Sequence, residues 1–165
     1  GLGLVTALVA KALGARVITT SRKDWKREML QKRGFDAVLD TDDDGFANQV
    51  GELTGGQGVA FAIDNTSSAT MFPKVSAALG RLGVIVSSGA QVAEPVPLDL
   101  RSLYLKSQSI VGIRTHTQKA LDGFWELAGT GLETLVDRTF PLDDVVDAHR
   151  YVEEEKNFGR VLLKI

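Results

Sequence analysis

Gly1 and Gly3 stand directly before an apolar stretch in which Leu4, Leu8 and Ala12, and beside them Val5, Val9 and Leu13, recur at helical spacing. Glycines ahead of a helix allow close backbone approach to a ligand, and the helix's first N–H groups and its dipole favour a phosphate there. Eighteen residues beyond Gly3 (21 − 3) the chain reads Ser21-Arg22-Lys23. A hydroxyl, a guanidinium and an ammonium suit a dianionic phosphate, which Arg can bind through two parallel hydrogen bonds. In a G-x-G-x-x-G dinucleotide turn, an acid about 20 residues past the glycines binds the ribose 2′-hydroxyl of NAD and repels a 2′-phosphate. Ser21 occupies that position and two bases follow it, so the pattern predicts NADP(H) over NAD(H). Only Gly1, Leu2 and Gly3 remain of the turn; Gly3 suits its third, helix-packing position, and the other two glycines are expected upstream.

Those residues need elements to hold them. Short apolar, β-branched runs at 17–20, 37–39, 59–63, 84–86 and 109–113 read as strands. Their lack of strict alternation suits strands covered on both faces, as in parallel sheets. Amphipathic stretches at 4–13, 24–33, 44–53, 69–79, 117–127 and 143–155 read as helices, the first stopped by Gly14 and the fifth with Thr117 as a candidate N-cap. Pro73 fits only the first turn of the fourth. Alternating strands and helices predict an α/β fold, a doubly wound and mostly parallel Rossmann-type sheet. Ligands of such sheets sit at the carboxyl ends of the strands. Asn65-Thr66, Ser87-Ser88-Gly89 and Ile113-Arg114 fall at those ends, although such residues also serve turns.

The stretches "GLGLVTALVAKALGARVI", "LTGGQGVAFAIDN", "ALGRLGVIVSSG", "LYLKSQSIVGI" and "FPLDDVVDAHRYVEEEKNFGRVLLKI" cover nearly the whole chain. Together and in this order they resemble the medium-chain dehydrogenase/reductase superfamily, in particular its quinone oxidoreductase-like branch. The resemblance implies a coenzyme domain over residues 1–139 and a tail over 140–165 that packs toward a catalytic domain. It implies that the first, central strand of the sheet is missing from this chain, so a gap is expected between the second and fourth strands of the family order. It places Asn65 and Thr66 near the adenosine or ribose, Ser88, Gly89, Ile113 and Arg114 near the nicotinamide, and Asn157 of Asn157-Phe158-Gly159 against the coenzyme. It implies a homodimer through the strand at 109–113. The function implied is an NADPH-dependent oxidoreductase acting on a quinone, an enone or a carbonyl, with a small-molecule substrate and with catalytic residues outside this chain. A zinc-dependent alcohol dehydrogenase and a noncatalytic NADPH-binding protein on the same fold, as with crystallins, are the alternatives. A Rossmann-like methyltransferase is disfavoured, because that fold usually places an acid where Ser21 stands.

Composition bounds the rest. The chain has 165 residues, enough for a real core, and a net charge of −2, which suggests neither a nucleic-acid nor an anionic-membrane partner. It has no cysteine, which removes disulfides, thiolate nucleophiles and Cys-based zinc sites and agrees with a cytoplasmic setting. No apolar run approaches the roughly 20 residues of a membrane span. Asp40, Asp42, Asp44 and Gly45 imitate a calcium loop, but the twelfth position is Gly51 rather than Glu, and these acids read instead as the start of a helix. His116 and His149 are 33 apart (149 − 116) with no ligand pattern around them, so no metal site is expected; His149 reads as structural and His116 as a loop residue.

Overall fold

The computed structural model describes residues 1–89, 94–132 and 135–165. In chain order the elements are α1 (Leu2–Ala12), β1 (Ile18–Thr20), α2 (Asp24–Lys32), β2 (Ala37–Leu39), α3 (Phe46–Leu53), β3 (Val59–Asp64) and α4 (Met71–Ala78). Then come β4 (Leu79–Ser87), α5 (Leu100–Leu105), β5 (Ser109–Gly112), α6 (Gln118–Gly129), β6 (Val136–Pro141), a 3-10 turn (Leu142–Asp144), α7 (Val145–Glu153) and β7 (Arg160–Lys164). The chain divides into a unit of Ile18–Gln118 and a unit of Gly1–Val17 with Lys119–Ile165.

In the larger unit every strand pairing is parallel: β1 with β2, β3 with β4, and β4 with β5. Among the described residues β1 pairs only with β2, and β3 only with β4. The order therefore breaks between β1 and β3, the place where the expected gap lies. Two apolar clusters support this unit. Phe46 and Val50, one helical turn apart on α3, meet Ala78 of α4, with Ile18, Leu39 and Val59 against them. Phe72, Leu79 and Ile85 form the second, and Val59 borders both. Each large side chain so buried contributes about 1.5–3 kcal/mol. Gly58, just before β3, has φ +73°, and a Cβ there would lie 2.7 Å from the Ala78 carbonyl oxygen, so the start of β3 can lie against the end of α4 only with glycine.

Several elements differ from the sequence reading for local reasons. α3 starts at Phe46, because Asp43 turns the chain first: its carboxylate accepts from the Gly45 N–H and from Gln49 Nε2, each at 2.6 Å. Pro73 is the third residue of α4, where a missing N–H is tolerated. β4 begins at Leu79 rather than 84, through an irregular passage over 80–83 in which exposed Leu82 adopts φ +58°. The short α5 is organised by Asp99, whose carboxylate accepts from the N–H groups of Arg101 and Ser102 at 2.9 and 3.1 Å. The strands are not covered on both faces in this chain: Phe61 and Ile63 of β3 are 72% and 46% exposed, and β5 is exposed throughout.

In the smaller unit β6 pairs in parallel with β7, and Phe140, Ala148 and Phe158 are buried. The Arg138 guanidinium lies 4.6 Å from the Phe140 ring centroid and 5.5 Å from that of Tyr151, and Tyr151 donates to Asp137 at 2.9 Å. α1 ends at a Gly14 turn with φ +83°. No helix among the described residues is long and apolar enough to cross a membrane.

Candidate functional site

The carboxyl ends of β3, β4 and β5 meet in a polar rim. Asp64, the last residue of β3, is 6% exposed. Its Oδ1 accepts from the Thr66 N–H at 2.9 Å, the Thr66 hydroxyl at 3.0 Å and the Ser67 N–H at 3.1 Å, which folds the chain back over the strand end. Ser67 adopts φ +54° and donates its hydroxyl to the Gly89 carbonyl at 2.6 Å, tying the turn after β3 to the turn after β4. Ser88 donates its hydroxyl to Asn65 Oδ1 at 2.5 Å and its N–H to the Asp64 carbonyl at 2.9 Å. With its oxygen engaged, Asn65 has its amide nitrogen left to donate. The Ile113 N–H reaches the Ser87 carbonyl at 2.9 Å, which brings the exposed Ile113 and Arg114 alongside. A Cβ at Gly89 would lie 2.1 Å from the Asn65 carbonyl oxygen, so only glycine allows this approach. Asp64 Oδ2 is buried with no hydrogen-bond partner. The rim therefore couples Asn65, Thr66, Ser88 and Gly89 through Asp64 and Ser67, neither of which the sequence reading singled out.

The second patch is the turn after β1. The Ser21 N–H donates to the Leu39 carbonyl at 3.1 Å, continuing the β1–β2 ladder by one residue, and Ser21 Oγ accepts from the Lys23 N–H at 3.3 Å. Arg27, one turn into α2, donates Nη1 to the Ser21 carbonyl at 2.8 Å and pairs with Asp40 Oδ2 at 2.9 Å. Arg22 is exposed and Lys23 half-buried on this turn. The turn of Ser21, Arg22 and Lys23 offers one hydroxyl and two cations, chemistry that suits a phosphate ligand, and both patches lie at the carboxyl edge, where ligands of open α/β sheets sit. A cavity of about 600 Å³ bordered by Gly58, Gly80, Arg81 and Lys106 lies at the amino ends of β3 and β4, the wrong end for that ligand.

The remaining predicted residues belong to the smaller unit. Gly1, Leu2 and Gly3 form the start of α1, with Gly1 at its N-cap and its carbonyl accepting from the Val5 N–H at 3.3 Å. Asn157 donates to the Gly159 carbonyl at 2.9 Å. The acids of the segment that imitates a calcium loop have other duties: Asp40 holds Arg27 and the Asp42 N–H, Asp44 faces Lys74 at 3.8 Å, and the intervening Asp43 turns the chain into α3. His116 and His149 are both exposed. Among the described residues no group of three or more His, Asp or Glu is placed to hold a metal.

Comparison with known proteins gives the geometry its context. The pattern of a family described as zinc-binding dehydrogenase matches residues 1–130. Quinone oxidoreductase 1 of Escherichia coli is 27% identical over 175 residues, covering 99% of this chain and 53% of that protein. The crystal structure of an NAD-dependent alcohol dehydrogenase superposes with a TM-score of 0.89 at 28% identity, over 100% of this chain and 48% of that one. A mycobacterial protein solved in complex with NADPH superposes with a TM-score of 0.80 at 32% identity, over 99% of this chain and 55% of that one. The chain thus spans about half the length of these proteins. It belongs to the zinc-binding dehydrogenase family, as a coenzyme-binding domain of the medium-chain dehydrogenase/reductase superfamily.

Proposed function

We propose that this chain is the NADPH-binding portion of an oxidoreductase that reduces a quinone, an activated carbon–carbon double bond or a carbonyl. The coenzyme supplies hydride chemistry; the protein binds and orients it and excludes water. The observation that carries the coenzyme choice is the turn after β1, where Ser21 replaces the ribose-binding acid and Arg22 and Lys23 add two cations beside it. Asn65 and Thr66 then flank the adenosine side, and Ser88, Gly89, Ile113 and Arg114 the nicotinamide side. Gly1, Leu2, Gly3 and Asn157 are further coenzyme contacts in this reading. Groups that shape the substrate site and deliver protons would lie mostly outside this chain in this reading. A cytoplasmic homodimer formed through β5 would cover Ile110 and Val111, which are 39% and 44% exposed.

The likeness to one NAD-dependent and one NADPH-bound structure leaves the choice to these residues. Calorimetry of the full-length protein with NADPH and NADH tests it. The expected result is NADPH binding at least about tenfold tighter, or about 1.4 kcal/mol. A melting temperature unmoved by saturating NADPH overturns the reading.

A further inference from the structure

We propose that Arg27 is a positioning residue for coenzyme selectivity, acting by neutralising Asp40 beside the 2′-phosphate turn. The inference rests on the NADPH reading above. An acid is missing from the end of β1, but one stands at the end of the neighbouring strand. Ser21 directly follows β1 and Asp40 directly follows β2, and Thr20 and Leu39 are paired in register. Asp40 therefore sits where a carboxylate would repel a 2′-phosphate or attract a ribose hydroxyl.

Both of its oxygens are engaged. Oδ1 accepts from the Asp42 N–H at 2.9 Å, and Oδ2 pairs with Arg27 Nη1 at 2.9 Å. The same Nη1 donates to the Ser21 carbonyl at 2.8 Å, so one guanidinium nitrogen fastens the acid to the selectivity turn. Arg27 also pairs with Asp24, but that carboxylate is 87% exposed, and such pairs are strongly screened. The Asp40 pair is better shielded, at 19% and 35% side-chain exposure, and is the one that sets the local field. With Arg27 present, its guanidinium offsets the charge of Asp40 beside the turn that carries Arg22 and Lys23. Without it, Asp40 contributes a negative charge at the same place.

The test is steady-state kinetics of the full-length protein with both coenzymes, beside melting temperatures. Arg27→Leu is expected to raise KM for NADPH about tenfold and that for NADH less than about twofold, with kcat unchanged. Arg27→Lys, which keeps the charge, retains most of the preference. Arg27→Leu with Asp40→Asn recovers it, because the acid that the arginine neutralised is gone. Asp40→Asn alone, which keeps Arg27 and so covers the case in which Arg27→Leu fails to fold, keeps or strengthens the preference. A purely structural arginine would lower the melting temperature and weaken both coenzymes alike. An unchanged KM ratio in Arg27→Leu, or a double variant no better than the single, overturns the proposal while leaving the NADPH reading intact. A wild type with no preference for NADPH overturns that reading and this inference with it.

Discussion

The rim at the ends of β3 and β4 and the turn at the end of β1 are both polar, yet they are built differently. The rim is mostly neutral and held by short hydrogen bonds around one buried carboxylate, with backbone so close that Gly89 admits no Cβ. The turn is charged and outward, and its order comes from an arginine that spans Ser21 and Asp40. The first arrangement fixes shape; the second adjusts potential at little cost in stability. In the proposed reading, one dinucleotide would meet steric definition at one patch and charge selection at the other. Changes at the rim should therefore weaken both coenzymes and the fold together, whereas changes at the turn should move only the ratio between coenzymes.

The largest effect should come from Gly89→Ala. The new Cβ would stand 2.1 Å from the Asn65 carbonyl oxygen, so one of two backbone segments must move. Destabilisation of about 3 kcal/mol is expected, read as a drop in the denaturation midpoint, with affinity for NADPH and NADH falling by similar factors. Asp64→Asn comes next. Oδ1 can keep its three donors, but the amide nitrogen then occupies the buried position of Oδ2, where no acceptor is present. About 2 kcal/mol is expected from that unsatisfied donor. Loss of NADPH binding alone, with NADH binding and stability intact, would erase the distinction between the two patches.

The hydroxyl-and-cation turn of Ser21, Arg22 and Lys23 was readable from sequence because it depends on residue type at a strand end, and the β-branched run before Ser21 locates that end. The parallel sheet was readable for the same reason. Arg27 and Asp40 were not, because only the β1–β2 pairing brings residues 19 positions apart (40 − 21) side by side. Asp64 was not legible as the centre of the rim either, because its burial depends on how the chain folds back through Thr66 and Ser67. α5 has six residues, too few to show helical periodicity, and the charged Asp137 and Arg138 hide the strand character of β6. What escaped sequence reading is thus mostly what long-range contact creates.

A smaller effect in energy, and a sharper one in meaning, is expected of Arg22→Asp. Arg22 is exposed, so stability should stay within about 0.5 kcal/mol of wild type. The NADPH-to-NADH affinity ratio should fall at least about tenfold, or about 1.4 kcal/mol, as a repulsive carboxylate replaces a phosphate ligand. Calorimetric titration with each coenzyme reads both quantities, and an unchanged ratio would show that the turn's charge does not select.

The smallest effect serves as the control for both patches. Tyr151 of α7 donates to Asp137 of β6, and that hydrogen bond holds the phenol's pKa above its ordinary value of 10.0, with burial and the carboxylate's charge adding to it. A raised value means that the folded state prefers the neutral phenol. The bond's contribution is therefore complete below pH 10 and is lost as pH rises through the folded value. Tyr151→Phe should cost about 0.5–1 kcal/mol at neutral pH. The gap to wild type should close in alkaline solution, and coenzyme ratios should not move at any pH. A gap that persisted after the phenol had ionised would mean that ring packing against Phe140 and Arg138, rather than the hydrogen bond, is what Tyr151 contributes.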